Sequence, residues 1–156
     1  EAPDTLVVPV GNGTLLLGAY YGFRELYDLG LIAKMPRIIA VQAQGCAPVH
    51  KAHRDKKAAV TPVPNTGTLA EGIAIADPKR GKQILDAIRF TGGEVILAPE
   101  EKINPCRSWL AQRGFHVEPT TAAILAAFME AYPGEEALRS LGRVIIPLCG
   151  AGLKGD

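Results

Sequence analysis

The chain has 156 residues, 47% of them hydrophobic, which suits a single domain with a true core. Its 17 basic and 16 acidic side chains leave a formal net charge of +1, which excludes a chain-wide field for nucleic acid or an anionic membrane, and no apolar run approaches the length of a bilayer span. Cys46, Cys106 and Cys149 form an odd, widely spaced set without a C-x-x-C pair, so free thiols in a reducing, cytoplasmic compartment are expected rather than disulfides or a zinc site.

The first element in chain order is Leu-Val-Val-Pro-Val at residues 6–10, a β-branched apolar run that breaks into Gly11, Asn12, Gly13, Thr14 and Leu15. Glycines let a backbone approach an anion closely, and the helix that follows offers N–H groups without internal partners and the positive end of its dipole. A phosphate cradle is built this way, although an ordinary strand-to-helix turn has the same pattern. Gly11, Gly13 and Gly18 miss the dinucleotide spacing G-x-G-x-x-G, and no Gly-Lys-Ser/Thr of a P-loop is present.

Leu16, Tyr20, Phe23 and Tyr27 then repeat at helical spacing and predict a helix with one buried face that ends near Gly30. A second strand is predicted at Arg37–Ala43. Residues 50–68 differ: Lys51, His53, Arg54, Lys56 and Lys57 cluster ahead of Pro62, Pro64 and Gly67, with no aromatic residue on which a base could stack. An exposed, mobile connection is expected there rather than a nucleic-acid patch. His50, His53 and His116 have no Cys or carboxylate set nearby in sequence that would make them metal ligands.

Asp77-Pro78 supplies a cap and an N1 proline for a helix over residues 79–90, which Gly92-Gly93 ends before a third strand at 94–97. Pro105 marks a helix that starts at Asn104. A further helix is expected over residues 120–132, with Ala122, Ala123, Ala126 and Ala127 on a close-packing face and Thr120 or Thr121 as its cap. The last predicted strand, 143–148, contains Pro147, which removes a ladder donor and implies an edge or a bulge. Strands alternating with helices predict an α/β fold with a mainly parallel sheet.

Five segments in order carry a family resemblance over nearly the whole chain. They are Val-Pro-Val-Gly-Asn-Gly-Thr at 8–14, Val-Gln-Ala-Gln-Gly-Cys-Ala-Pro at 41–48, Thr-Leu-Ala-Glu-Gly-Ile-Ala at 68–74, Val-Glu-Pro-Thr-Thr-Ala-Ala at 117–123 and Leu-Cys-Gly-Ala-Gly-Leu-Lys at 148–154. The chain resembles the C-terminal part of a threonine synthase-like, fold type II pyridoxal-phosphate enzyme, related to the tryptophan synthase β subunit. The second and fourth segments resemble the threonine synthases more than the dehydratases of the same fold.

The resemblance implies a Rossmann-like three-layer sandwich, a single α/β domain that is part of the large domain of a longer enzyme, with pyridoxal 5'-phosphate as cofactor. It implies that Gly11, Asn12, Gly13, Thr14 and Leu15 hold the cofactor phosphate, and that Cys149 stands beside the pyridine nitrogen. A neutral group there, unlike an aspartate, does not hold that nitrogen protonated. Read by itself, Cys149 is an apolar thiol at a strand end. Glu71, Gly72 and the Glu118-Pro119 phrase resemble family segments but are left outside the expected site.

In the family the Schiff-base lysine belongs to an N-terminal half, and none of the lysines here lies in that motif; Lys154 matches only the closing Gly-Leu-Lys. No catalytic residue is therefore expected in this chain, which opens at Glu1 without an initiator methionine and is expected to be part of a longer protein. The complete enzyme is expected to convert O-phosphohomoserine to threonine, acting on a small amino-acid substrate together with the absent N-terminal half, as a homo-oligomer. Threonine/serine dehydratase chemistry is the alternative within enzymes, and a non-catalytic anion-binding or interaction domain is the alternative outside them.

Overall fold

A computed structural model describes residues 1–154. The chain runs β1 (Thr5–Pro9), α1 (Thr14–Asp28), β2 (Arg37–Ala43), α2 (Pro48–Arg54), a 3-10 turn (Glu71–Ile73) and α3 (Gly81–Phe90). It continues through β3 (Glu94–Ala98), α4 (Glu100–Ala111), α5 (Pro119–Ala131), α6 (Glu135–Arg139), β4 (Val144–Ile145) and a second 3-10 turn (Gly152–Lys154). The four strands form one parallel sheet in the order β3-β2-β1-β4.

The apolar strands alternate between two cores, as a pleated backbone requires. Val7, Ile39, Val41, Ile96 and Ala98 face α5, where Ala122, Ala123, Ile124 and Ala127 let the helix lie close; Ile103 and Leu110 of α4 close this layer. Leu6, Val8, Ile38, Ala40 and Val95 face the other way, onto Leu16 and Leu17 of α1, Val49 and Ala52 of α2, and Ile84, Leu85 and Ile88 of α3. Each fully buried Leu or Ile of this kind contributes about 1.5–3 kcal/mol. The expected three-layer α/β architecture is thus present.

Several local expectations need correction. Tyr27 is 43% exposed, and only Leu16 and Leu17 of α1 are fully buried, while Tyr20 and Phe23 pack partly against the core. Residues 50–54 are helical rather than loop, with Ala52 buried in the core; the exposed, extended connection begins after Arg54. The helix expected from Lys79 begins at Gly81, because Asp77 pairs with Lys79 instead of capping and a turn places the Gly81 N–H on the Pro78 carbonyl. Helix α4 starts at Glu100, behind Pro99, and carries Pro105 inside it at the expense of one helix bond. Thr120 and Thr121 lie within α5 and do not cap it; Glu118 holds the N-cap position and Pro119 is N1.

The last strand is only Val144–Ile145, paired with Thr5 and Leu6 at the sheet edge. Pro147 lies beyond it, where no ladder donor is needed. The start of β4 is anchored instead by polar contacts: the Thr5 hydroxyl donates to the Leu141 carbonyl at 2.7 Å, and the Arg143 N–H donates to Asp4 at 2.8 Å.

The amino-terminal ends of β2 and β3 carry a polar cluster. Arg37 and the Tyr132 hydroxyl, the latter just past α5, both donate to the same Glu94 carboxylate oxygen. Burial, and then the Glu94 carboxylate, push the Tyr132 phenol well above its ordinary value of 10.0. A raised folded-state pKa means the associated stability is intact below pH 10 and is lost as pH rises beyond it toward the folded value. Tyr132→Phe is expected to be less stable by about 1 kcal/mol at pH 7, and the gap to the parent is expected to narrow above pH 10. Urea unfolding of both proteins across that range checks it; a gap that does not change with pH contradicts the assignment.

Candidate functional site

A parallel sheet sends every strand's carboxyl end to the same side. The order β3-β2-β1-β4 also places a switch point there: the chain leaves β1 toward β2 and β3, then returns across the sheet to place β4 on the opposite side of β1. Helices α1, α2 and α3 cover one face and α5 the other, so the crevice beyond β1 and β4 opens between layers, the usual location of a ligand in an open α/β sheet. The turn after β1 and the segment after β4 both leave the sheet at this end, from adjacent strands.

The turn itself is tightly determined. The Val10 N–H donates to the Val41 carbonyl at 2.9 Å, extending the ladder one residue past β1. Gly11 is buried, and a Cβ there would lie 3.0 Å from Ile75 and 3.2 Å from the Gly72 carbonyl. Gly13 is the N-cap of α1 at φ 83°, a left-handed conformation that a side chain resists, and its Cβ would meet Ile84 at 2.6 Å. Its carbonyl accepts the Leu17 N–H at 2.8 Å and so opens the helix.

Asn12, Thr14 and Leu15 are exposed at the mouth of the turn. The first turn of α1 contains no acidic side chain, so its dipole and N–H groups are not opposed locally. The residues therefore fit an anionic group: a 15-residue helix presents its N-terminus beside the exposed Asn12 and Thr14, at a turn that two buried glycines tighten.

Gln42 is a site residue that sequence reasoning missed. Fully buried at the end of β2, it donates from Nε2 to the Val10 carbonyl at 3.4 Å, while Oε1 accepts the Val49 and His50 N–H groups of α2 at 2.9 and 3.0 Å. It thus ties the residue before the turn to the start of α2. A lone polar residue within the apolar run Ile-Ile-Ala-Val-Gln-Ala at 38–43 was the available signal.

Cys149 is exposed on the segment after β4, and Cys46 and Cys106 are buried. The adjacent Gly150 is held by α5: its carbonyl accepts the Glu118 N–H at 3.0 Å and its N–H donates to the Thr121 hydroxyl at 3.0 Å. On the other side of α5's first turn, the Gly72 N–H donates to the Thr120 hydroxyl at 3.2 Å. Glu71, Gly72, Asn104, Arg107, Glu118 and Thr120 border a cleft of about 540 Å³, so the two phrases left outside the expected site converge on one concavity. Gly72 belongs both to this cleft and to the packing around Gly11.

Among the described residues no group of His, Cys, Asp and Glu could hold a metal ion, and no helix is long and apolar enough to cross a membrane. Burial pushes the Cys46 and Cys106 thiols above their ordinary value. A limiting dose of iodoacetamide at pH 8 is therefore expected to modify Cys149 first and the other two only after denaturation; peptide mass spectrometry showing comparable rates at all three contradicts the burial argument.

The model of the pyridoxal-phosphate dependent enzyme family matches residues 1–150. Threonine synthase of Methanosarcina acetivorans is 37% identical over 127 residues, covering 81% of this chain and 31% of that protein. Threonine synthase of Methanocaldococcus jannaschii is 33% identical over 127 residues, with the same coverage, 81% and 31%. The chain thus spans about a third of the length of these curated relatives. Among solved structures, maize serine racemase has the same fold at a TM-score of 0.76 and 19% identity, covering 97% of this chain and 44% of that one.

Proposed function

We propose, from the premise that this chain belongs to the pyridoxal-phosphate dependent enzyme family, that it is the phosphate-holding and ring-contacting part of a threonine synthase, whose complete form converts O-phosphohomoserine to threonine and inorganic phosphate. One observation carries the reading of the site: the left-handed Gly13 N-cap at the switch point, which opens a helix N-terminus free of acidic side chains toward the crevice. Gly11, Asn12, Gly13, Thr14 and Leu15 hold the phosphate of pyridoxal 5'-phosphate through backbone N–H groups, and the Thr14 hydroxyl adds a donor.

When bound, the cofactor supplies the electron sink on which the chemistry depends. The chain's own residues bind and orient it. The dianion is held by convergent N–H dipoles, which need no titratable side chain and keep their strength across the neutral range. Cys149 stands at the pyridine nitrogen as a small neutral group and so does not hold a proton on that atom. The small amino-acid substrate, the lysine that attaches the cofactor and a homo-oligomeric, cytoplasmic enzyme complete the reading, with the lysine carried by the remaining part of the longer protein.

Four outcomes are expected. After incubation of this chain with pyridoxal phosphate and borohydride reduction, mass spectrometry finds no stoichiometric adduct on one lysine; such an adduct together with amino-acid turnover overturns the division of labour. In the complete protein, O-phosphohomoserine yields threonine and phosphate in equal amounts, whereas release of only a ketoacid from threonine or serine replaces the reading with a dehydratase. Thr14→Val weakens pyridoxal phosphate binding about tenfold in a fluorescence titration, the value of one hydrogen bond to a charged group. Cys149→Ser keeps most of the activity, and Cys149→Asp diverts flux to transamination; an aspartate variant indistinguishable from the parent removes Cys149 from the ring.

A further inference from the structure

We propose that Thr120 and Thr121, neighbours in the first turn of α5, are positioning residues that set the spacing of the two loops bordering the crevice, with Thr120 fixing Gly72 and Thr121 fixing Gly150 and hence Cys149. The part of this that concerns the cofactor ring rests on the reading of Cys149 given above; the part that concerns the loops does not.

Successive helix residues point about 100° apart, so two adjacent hydroxyls reach two different loops from one rigid turn. Thr120 is 8% exposed and Thr121 is fully buried. Thr120 Oγ1 accepts the Gly72 N–H at 3.2 Å, across 48 residues of sequence. Thr121 Oγ1 accepts the Gly150 N–H at 3.0 Å and donates to the Gly150 carbonyl at 3.2 Å, so one hydroxyl serves both polar groups of that residue.

Neither hydroxyl caps its own helix, whose N-cap position is held by Glu118, so both are available to the loops. The contacts are close on both sides. A Cβ on Gly72 would lie 2.9 Å from Thr120 Oγ1, and one on Gly150 would lie 2.1 Å from Glu118 Oε1. Gly72 also sets its carbonyl against Gly11, so the same helical turn reaches the phosphate-holding turn through one loop and Cys149 through the other.

Valine matches threonine in shape and removes only the hydroxyl. In Thr121→Val the Glu118 N–H still reaches the Gly150 carbonyl, and the Gly152 N–H still reaches the His116 carbonyl, so the segment stays attached and loses the bonds nearest Cys149. Amide hydrogen exchange by NMR in the complete protein is expected to show Gly150 exchanging about tenfold faster in Thr121→Val with Gly72 unchanged, the change that the loss of one hydrogen bond allows. Thr120→Val gives the opposite pattern, and Thr121→Ser restores protection at Gly150. A purely structural role would instead speed exchange at both glycines in either variant, and that result overturns the proposal.

A measurement on the parent keeps the test independent of variant folding. Under mild denaturant the Gly72 and Gly150 amides are expected to open together with the Thr121 and Ala122 amides; a Gly150 amide that exchanges as freely as an unstructured one overturns the proposal. The ring contact is read separately, from the rate of iodoacetamide modification at Cys149 with and without pyridoxal phosphate. Protection that is lost in Thr121→Val and regained in Thr121→Ser supports both parts. No protection in the parent, alongside the glycine-specific exchange pattern, removes Cys149 from the ring and leaves the loop positioning standing.

Discussion

Everything at this site depends on β1, an interior strand hydrogen bonded to β2 on one side and to β4, the last strand to join the sheet, on the other. Because all pairings are parallel, each return to the sheet requires a crossover, and each crossover delivers a loop to the carboxyl end. Two of those loops flank β1 itself. The first passes from β1 into α1 through only residues 10–13, so the helix N-terminus lies at the carboxyl end of the sheet as a consequence of strand polarity. The second arrives only after the chain has crossed from one face of the sheet to the other.

Helix α5 is the element that converts this topology into a fixed geometry. Its buried apolar side is mostly alanine, with Ile124 and Phe128 as the larger side chains, which permits a close approach to the sheet but leaves few interlocking side chains to set its position along the sheet. Polar contacts at its ends set that position instead. At the carboxyl end Tyr132 meets Glu94, itself paired with Arg37; at the amino end Thr120 and Thr121 meet Gly72 and Gly150. The Arg37–Glu94 pair is about one-third exposed on each side, so solvent screens it, and its geometry matters more than its charge.

The layers were legible in the sequence because they rest on periodicity. The first three strands, α1 and α5 all lie where apolar alternation or helical spacing placed them, and the glycine-rich turn was visible as a break between the two patterns. What escaped was decided by which partner each polar side chain took, near or far in sequence. Asp77 and the Thr120-Thr121 pair satisfy local capping rules, yet Asp77 turned to Lys79 and the threonines to glycines 48 and 29 residues away. β4 is two residues long because its ladder depends on the edge of β1 and not on its own propensity. Strand order, and with it the convergence of Glu71, Gly72 and Glu118 on one cleft, has no signature in a single chain.

The two glycines of the turn show why a pattern and its cause must be separated. Sequence logic assigns them to close approach of an anion, but the structure gives each a second partner within the protein: Ile75 and the Gly72 carbonyl for Gly11, and Ile84 together with the left-handed N-cap for Gly13. A bulkier residue at either position would disturb the fold before it reached any ligand, and weak cofactor binding in such a variant would not by itself identify the turn as the phosphate site. Thr14 and Cys149 are different, because both are exposed and Cys149 lies outside the named strands and helices. In the proposed reading, the contacts to the cofactor thus fall most directly to residues that the core does not need, and substitution there tests the site without first disturbing the fold.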